Sequence, residues 1–160
     1  MTRIRFLTFL AAAAAVLLVA VSAATASPDA TSSRAATVKA AQRSLGKILV
    51  DSKGRTLYLF KKDSRNKSAC FGACADNWPP LRVSGRPTAG RGVRAGLLGS
   101  IKRGAKRQVT YNGHPLYRYL GDLGAGDVNG QGINAFGARW YVVSPSGRAI
   151  TRASTGGGYP

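Results

Sequence analysis

The chain has 160 residues, of which 24 are Lys or Arg and 6 are acidic, for a formal charge of +18 at neutral pH. That length supports one modest core and excludes two independent domains of ordinary size, while two cysteines and one histidine are too few for a zinc site of several soft ligands. All six acids are Asp, and so strong a positive field either draws polyanions in a salt-sensitive way or serves only to keep the protein soluble.

The first 26 residues have the grammar of an export signal. Arg3 and Arg5 form a basic start, Phe6 to Val21 is an apolar run broken only by Thr8, and Ala24-Thr25-Ala26 supplies a small-residue cleavage site before Ser27. The run of 16 residues falls short of the roughly 20 that span a bilayer. We therefore expect a signal peptide over 1–26 and no transmembrane segment after cleavage. The mature form then carries 22 basic against 6 acidic side chains, a net +16. An exported protein of that charge meets anionic envelope polymers, lipid head groups or extracellular DNA, and no specific nucleic-acid target is expected.

Residues 27–44 are rich in Ala, Ser and Thr without apolar periodicity and read as a disordered linker; 152–160, with Gly156 to Gly158, read as a flexible tail. Between them, 45–151 form the folded domain. Leu45 to Asp51 and Thr56 to Phe60 are β-favouring runs joined by Ser52-Lys53-Gly54, a hairpin signal. A short helical turn is predicted around Ser68 to Asp76, then a strand at Leu97 to Lys102. Arg107 to Tyr111, the turn Asn112-Gly113, and Pro115 to Leu120 form a second hairpin. A last strand, Arg139 to Ser144, runs into the turn Ser144-Pro145-Ser146-Gly147.

The two hairpins share one text. Gly54 to Asp63 and Gly113 to Asp122 both read G-x-x-L-Y-x-(F/Y)-x-x-D, 59 residues apart. Because strand side chains alternate, Tyr58 with Phe60, and Tyr117 with Tyr119, share one face, opposite Leu57 with Leu59, and Leu116 with Arg118 and Leu120. The fold class expected is all-β: two pseudo-symmetric hairpin-based repeats, about 45–102 and 103–150, packed as one small antiparallel domain.

Cys70 and Cys74 are the clearest chemical feature. Two cysteines in an exported protein normally pair, and one helical turn sets such Cα atoms about 6 Å apart. Closing so short a loop contributes about 2 kcal/mol through chain entropy. The bond reads as a local staple, with a thiol-disulfide or electron-transfer role as the alternative. Asp63 and Asp122 fall just beyond their strands, where an Asp accepts backbone N–H bonds in the following turn. An acid/base pair is the other reading, but no second functional group accompanies both copies. Asp127, Asn129 and Gln131 have the spacing of a weak calcium loop, yet its twelfth position is Ala138 rather than Glu. His114 sits at the hairpin turn, and its counterpart in the first copy is Arg55, so no imidazole is duplicated. Most of the aromatics, Tyr58, Phe60, Trp78, Tyr111, Tyr117, Tyr119, Trp140 and Tyr141, are expected in the core, with one or two free to stack on a ligand. Two basic clusters are candidate polyanion contacts: Arg82, Arg86, Arg91 and Arg94, and then Lys102, Arg103, Lys106 and Arg107.

The two Tyr motifs, Cys70-x-Gly72-x-Cys74 with Trp78-Pro79-Pro80-Leu81, Val109 to Gly113 with Pro115-Leu116-Tyr117, Gly126 to Gly132, and Trp140 to Pro145 together resemble a bacterial family, the secreted repeat of unknown function. Its members are also described as predicted lipoproteins with a Y-x-(FWY)-x-x-D motif. The resemblance covers about Leu45 to Gly147. It implies an exported, repeat-built protein and no reaction, so no enzyme activity and no cofactor are expected. Lipid attachment needs a cysteine at the cleavage point, and the first here is Cys70, which implies a soluble product. The resulting reading is a non-enzymatic module of the cell envelope that associates through its basic surface.

Overall fold

A computed structural model describes residues 37–152. The expected signal peptide, residues 27–36 of the expected linker and the tail beyond Arg152 lie outside the described residues. The elements in chain order are β1 (Val38–Arg43), β2 (Gly46–Asp51), β3 (Tyr58–Phe60), the short helix α1 (Ala73–Asn77), β4 (Arg82–Val83), a 3-10 turn (Ala95–Leu97), β5 (Leu98–Arg103), β6 (Lys106–Tyr111), β7 (His114–Pro115), β8 (Asn134–Ala135) and β9 (Ala138–Val142). Every strand pairing between named strands is antiparallel. The fold is all-β, and its short helix α1 begins inside the C-x-x-x-C segment and contains Cys74.

One boundary needs correction. The expected linker ran to residue 44, but Val38–Arg43 is a strand paired along its full length with β2, from Val38 against Asp51 to Arg43 against Gly46. Its other edge is also bonded: Val38 N–H donates to the Thr88 carbonyl and Ala40 N–H to that of Arg91. Backbone pairing on both sides holds this strand, and of its side chains only Val38 is fully buried. A strand held that way shows no apolar alternation. Arg152, assigned to the tail, is tied as well, its guanidinium donating to the Leu45 carbonyl.

The registers define the duplication more closely than the motifs do. Arg43 faces Gly46 across β1 and β2, and Arg103 faces Lys106 across β5 and β6, an offset of 60. Tyr58 and Tyr117 lie 59 apart. The missing residue sits in the turn. Asp51 donates its N–H to Arg55 across three residues, whereas Tyr111 faces His114 across two. Asn112 and Gly113 both have positive φ, 50° and 81°, the type I′ geometry whose twist suits a two-residue hairpin. Repeat one therefore starts at β1 and repeat two at β5, so Leu98 to Lys102 open the second repeat instead of closing the first.

The repeats interlock. Tyr58 faces Val142 of β9, and Tyr117 faces Pro80, which follows Trp78. Leu49 N–H donates to the Val143 carbonyl, and its counterpart Val109 donates to that of Leu81. Each repeat's tryptophan-bearing segment is thus a strand partner for the other repeat. Alternation then sorts the core into two layers. Ile48, Val50, Tyr58, Phe60, Tyr117 and Val142 fill one with both cysteines and both tryptophans. Leu49, Leu57, Leu59, Leu116 and Val143 fill the other with Val109 and Tyr111.

Candidate functional site

The duplicated motif meets itself at the centre of the molecule. Tyr58 and Tyr117 exchange both backbone hydrogen bonds, at 2.9 and 3.0 Å. Each hydroxyl then crosses to the other repeat: Tyr58 Oη donates to Asp122 Oδ2 at 2.7 Å, and Tyr117 Oη to Asp63 Oδ2 at 2.8 Å. The second oxygen of each carboxylate accepts a backbone N–H, from Ala69 at 2.7 Å and from Asn129 at 2.9 Å. Burial, followed by the charge of the adjacent aspartate, raises the ionisation of both phenols above its ordinary value, so both stay protonated donors. Around them runs a four-ring stack, Phe60 on Trp140 at 4.1 Å, Trp140 on Trp78 at 4.0 Å and Trp78 on Tyr119 at 4.3 Å between centroids. Tyr58 and Tyr117 meet Trp78 and Trp140 edge-on at 5.3 and 5.1 Å. Tyr58, Phe60, Tyr117 and the two tryptophans are buried, with Asp63, Tyr119 and Asp122 half-buried at their edge, so the motif's chemistry is that of a structural clasp.

The two clasps differ in their surroundings. Tyr117 Oη also lies 2.7 Å from Ser68 Oγ, which accepts from Arg103 at 2.6 Å. Arg103 further donates to Gln108 Oε1 at 2.7 Å and to the Cys70 carbonyl, and lies 4.5 Å from the Phe71 ring centroid. Burial raises Asp63, while the Ala69 and Tyr117 bonds and then the Arg103 charge oppose that shift. Burial pushes Asp122 up to about 6, against the opposing bonds from Tyr58 and Asn129. Arg103 was a predicted polyanion contact, and the structure corrects that reading: its side chain is buried beneath the disulfide loop. A basic residue on a strand reads the same in sequence whether it points in or out.

The Cys70–Cys74 disulfide is present, with Cα atoms 5.3 Å apart and both residues buried. Its loop carries Phe71, 63% exposed, over Arg103. In the weak calcium loop the three side chains bond to backbone. Asp127 Oδ2 accepts N–H bonds from Leu123 and Gly124, Asn129 Nδ2 donates to the Gly121 carbonyl, and Gln131 bonds the backbone of Val142, Ile150 and Arg152. Those side chains close the loop onto its own and neighbouring backbone. Among the described residues no three His, Cys, Asp or Glu group as metal ligands. His114 is half-buried, and burial followed by the charges of Lys61 and Arg65 lowers its ionisation.

The remaining predicted cations are separated into distinct clefts. Arg91 and Arg94 line one of about 650 Å³ with Gln42, Pro145, Ser146 and Lys47, a residue that the sequence clusters omit. Arg86 and Arg107 line a second of about 640 Å³ with Ser100. Arg82 and Lys106 share a third with Asp76, and Lys102 lies beside Phe71 and Lys67 in a fourth. Lys47 could have been found from the duplication, since register places it opposite Gln42 as Arg107 lies opposite Lys102.

The distribution of acids gives these clefts their sign. Asp51 is buried and pairs with Arg55 and Arg118, each at 2.8 Å. Burial would raise its carboxyl, but bonds from Arg55 and the Arg118 charge hold it below the ordinary range. Asp63, Asp122 and Asp127 accept the bonds described above. Of the acids among the described residues, only Asp76 is left to face the surface cations.

A small all-β module of two interlocked repeats, clasped by reciprocal Tyr–Asp bonds and stapled by a short disulfide, is the class that this architecture defines. The chain belongs to the family described as the secreted repeat of unknown function, whose model matches residues 39–82 and 101–144, more than half of the chain. Trp78 lies within the first match and Trp140 within the second, in agreement with their equivalent places in the fold. No curated protein and no solved structure matches the chain.

Proposed function

We propose that this protein is a non-enzymatic module of the cell envelope whose basic surface associates with anionic envelope polymers. The observation that carries this reading is the fate of its aspartates. Among the described residues four of the five are bonded within the fold, so the surface lysines and arginines there stand with almost no neutralising partner. Opposed charges at a wet surface attract over roughly 10 Å at about 0.1 M salt, and less at higher ionic strength. The family's description as secreted agrees with a place outside the cytoplasm, and among the described residues no helix is long and apolar enough to cross a membrane.

The thiol-disulfide alternative draws less support from the geometry. Exchange needs an attacking thiolate to reach a sulfur, and Cys70 and Cys74 are 0% and 6% exposed. The staple reading accounts for the bond, because it fixes the loop whose carbonyl Arg103 grips.

Co-sedimentation of the oxidised mature protein with isolated envelope, from about 50 to 500 mM salt, tests the proposal. Binding that collapses with salt is the expected result. Absence of binding at the lowest salt overturns it and leaves the charge a solubility device.

A further inference from the structure

The first two clefts are related by the duplication, and we propose that they are a pair of equivalent binding grooves for a linear polymer carrying repeated phosphate groups. This deepens, and rests on, the envelope-binding reading above. In the first, Lys47 of β2 stands beside the β1 residues Ala40 and Gln42, and the turn Pro145-Ser146 closes one side. In the second, Arg107 of β6 and Ser100 of β5 take the places of Lys47 and Ala40, at the offset of 60 that the registers define. Gly85-Arg86-Pro87 closes that groove from the segment after Trp78, as Pro145-Ser146 does from the segment after Trp140. Each groove therefore joins one repeat's hairpin to a cap from the other repeat, the same exchange that builds the core, and the first adds Arg91 and Arg94 from the segment before the 3-10 turn.

The chemistry of the linings points to the ligand. Neither groove contains an acid. Lys47, Arg91 and Arg94 make no side-chain hydrogen bond or ion pair among the described residues, so an incoming anion displaces only water. Arg107 is pre-oriented, its Nε on Ser100 Oγ at 2.7 Å and a terminal nitrogen on the Ser100 carbonyl at 2.8 Å. A carboxylate offers two coplanar oxygens and is satisfied by one guanidinium fork. Cations arriving from separate segments suit a tetrahedral phosphate, which offers acceptors in several directions. Both grooves are clefts bordered by exposed cations, and a strand of polymer can lie along each.

Two equivalent grooves on one rigid module make it bivalent. A long polymer that occupies both gains effective concentration and binds more tightly than either groove alone, and separate chains held in the two grooves become cross-linked.

The test is titration calorimetry of the folded mature protein with inorganic triphosphate and with long-chain polyphosphate, beside light scattering. Three variants of equal charge change are compared: K47E/R91E in the first groove, R86E/R107E in the second, and K53E/K61E outside both. We expect two equivalents of triphosphate per chain for the wild type and the control, and one for each groove variant. Long polyphosphate should bind about tenfold more weakly to either groove variant than to the control, and scattering from cross-linked complexes should be lost. Poly-Glu of matched length should bind more weakly than polyphosphate, and equal binding overturns the choice of phosphate. A single equivalent in the wild type, or groove variants that match the control, overturns the pair of grooves. Should that happen while envelope co-sedimentation still collapses with salt, the charge acts diffusely and the broader reading stands. Should the wild type ignore envelope at low salt, that broader reading fails as well. Circular dichroism before titration confirms that each variant is folded.

Discussion

Tyr58 of the first repeat and Asp122 of the second are joined by a hydrogen bond of 2.7 Å, and the duplication repeats that bond between Tyr117 and Asp63 at 2.8 Å. The motif that looks local in sequence is thus satisfied only across the repeats. Its tyrosine and aspartate, five residues apart in each copy, each need the other copy's partner.

Removing one hydroxyl should expose this dependence. Tyr58→Phe and Tyr117→Phe each leave a partly buried carboxylate short of a donor, which costs about 1–3 kcal/mol. Losses of similar size are expected, because each hydroxyl has a second partner: Tyr58 Oη accepts the Gly130 N–H at 3.2 Å, and Tyr117 Oη meets Ser68 Oγ in the Arg103 network. Urea midpoints of both variants, with Asp63→Ala and Asp122→Ala in double-mutant cycles, measure the two couplings. Coupling within a repeat that exceeds coupling between repeats would contradict the crossed wiring.

Arg103→Ala should be among the most damaging single changes in the domain. It strips Gln108, Ser68 and the Cys70 carbonyl of one shared donor in a buried place, and each buried group left without its partner costs about 1–3 kcal/mol. Arg86→Ala, at an exposed position, should stay within about 0.5 kcal/mol. Thermal unfolding of the pair decides whether Arg103 is structural, as its burial says, or a surface cation.

Asp122 gives the pH profile a definite sign. Its folded value, about 6, lies above the ordinary 3.8, so the folded state binds the extra proton between those limits. Its contribution to stability is fully present below pH 3.8 and is lost as pH rises through about 6. Asp51 acts oppositely, because its lowered value makes its contribution present at higher pH and lost on acidification. Asp63 shares the sign of Asp122, and His114, lowered by burial and nearby cations, shares that of Asp51. The difference in unfolding free energy between wild type and Asp122→Asn isolates the one group. That difference should fall as pH rises from about 4 to 6, and a difference that rises instead would overturn the assignment.

Replacing both cysteines with serine should lower stability by about 2 kcal/mol, the entropic effect of so short a loop, and leave envelope binding within twofold of wild type. Loss of binding in a variant that remains folded at the assay temperature would favour the redox reading over the staple.

How much was legible beforehand can be traced residue by residue. Asn112-Gly113 announced a hairpin because few dipeptides accept two positive φ values, and the structure has both. Alternation assigned Leu57 and Leu59 to one face and Tyr58 and Phe60 to the other, and they lie in separate core layers. β1 was missed because its strand character lies in backbone bonds rather than in side-chain pattern, although stepping back 60 residues from the predicted strand at 97–102 would have marked it. Arg103 was misplaced because direction along a strand's normal is set by what packs on it.

By itself the sequence determined the duplication, the all-β class, the pairing of Cys70 with Cys74 and the large positive charge, since each follows from residue identity and spacing. Only the tertiary structure decided that the repeats interlock, that Tyr58 serves Asp122 and Tyr117 serves Asp63, and that Lys47 joins Arg91 and Arg94 in one cleft. Those relations span dozens of residues along the chain. They are settled by which strands find each other and by the burial that makes an unpaired carboxylate or guanidinium too costly to leave unbonded.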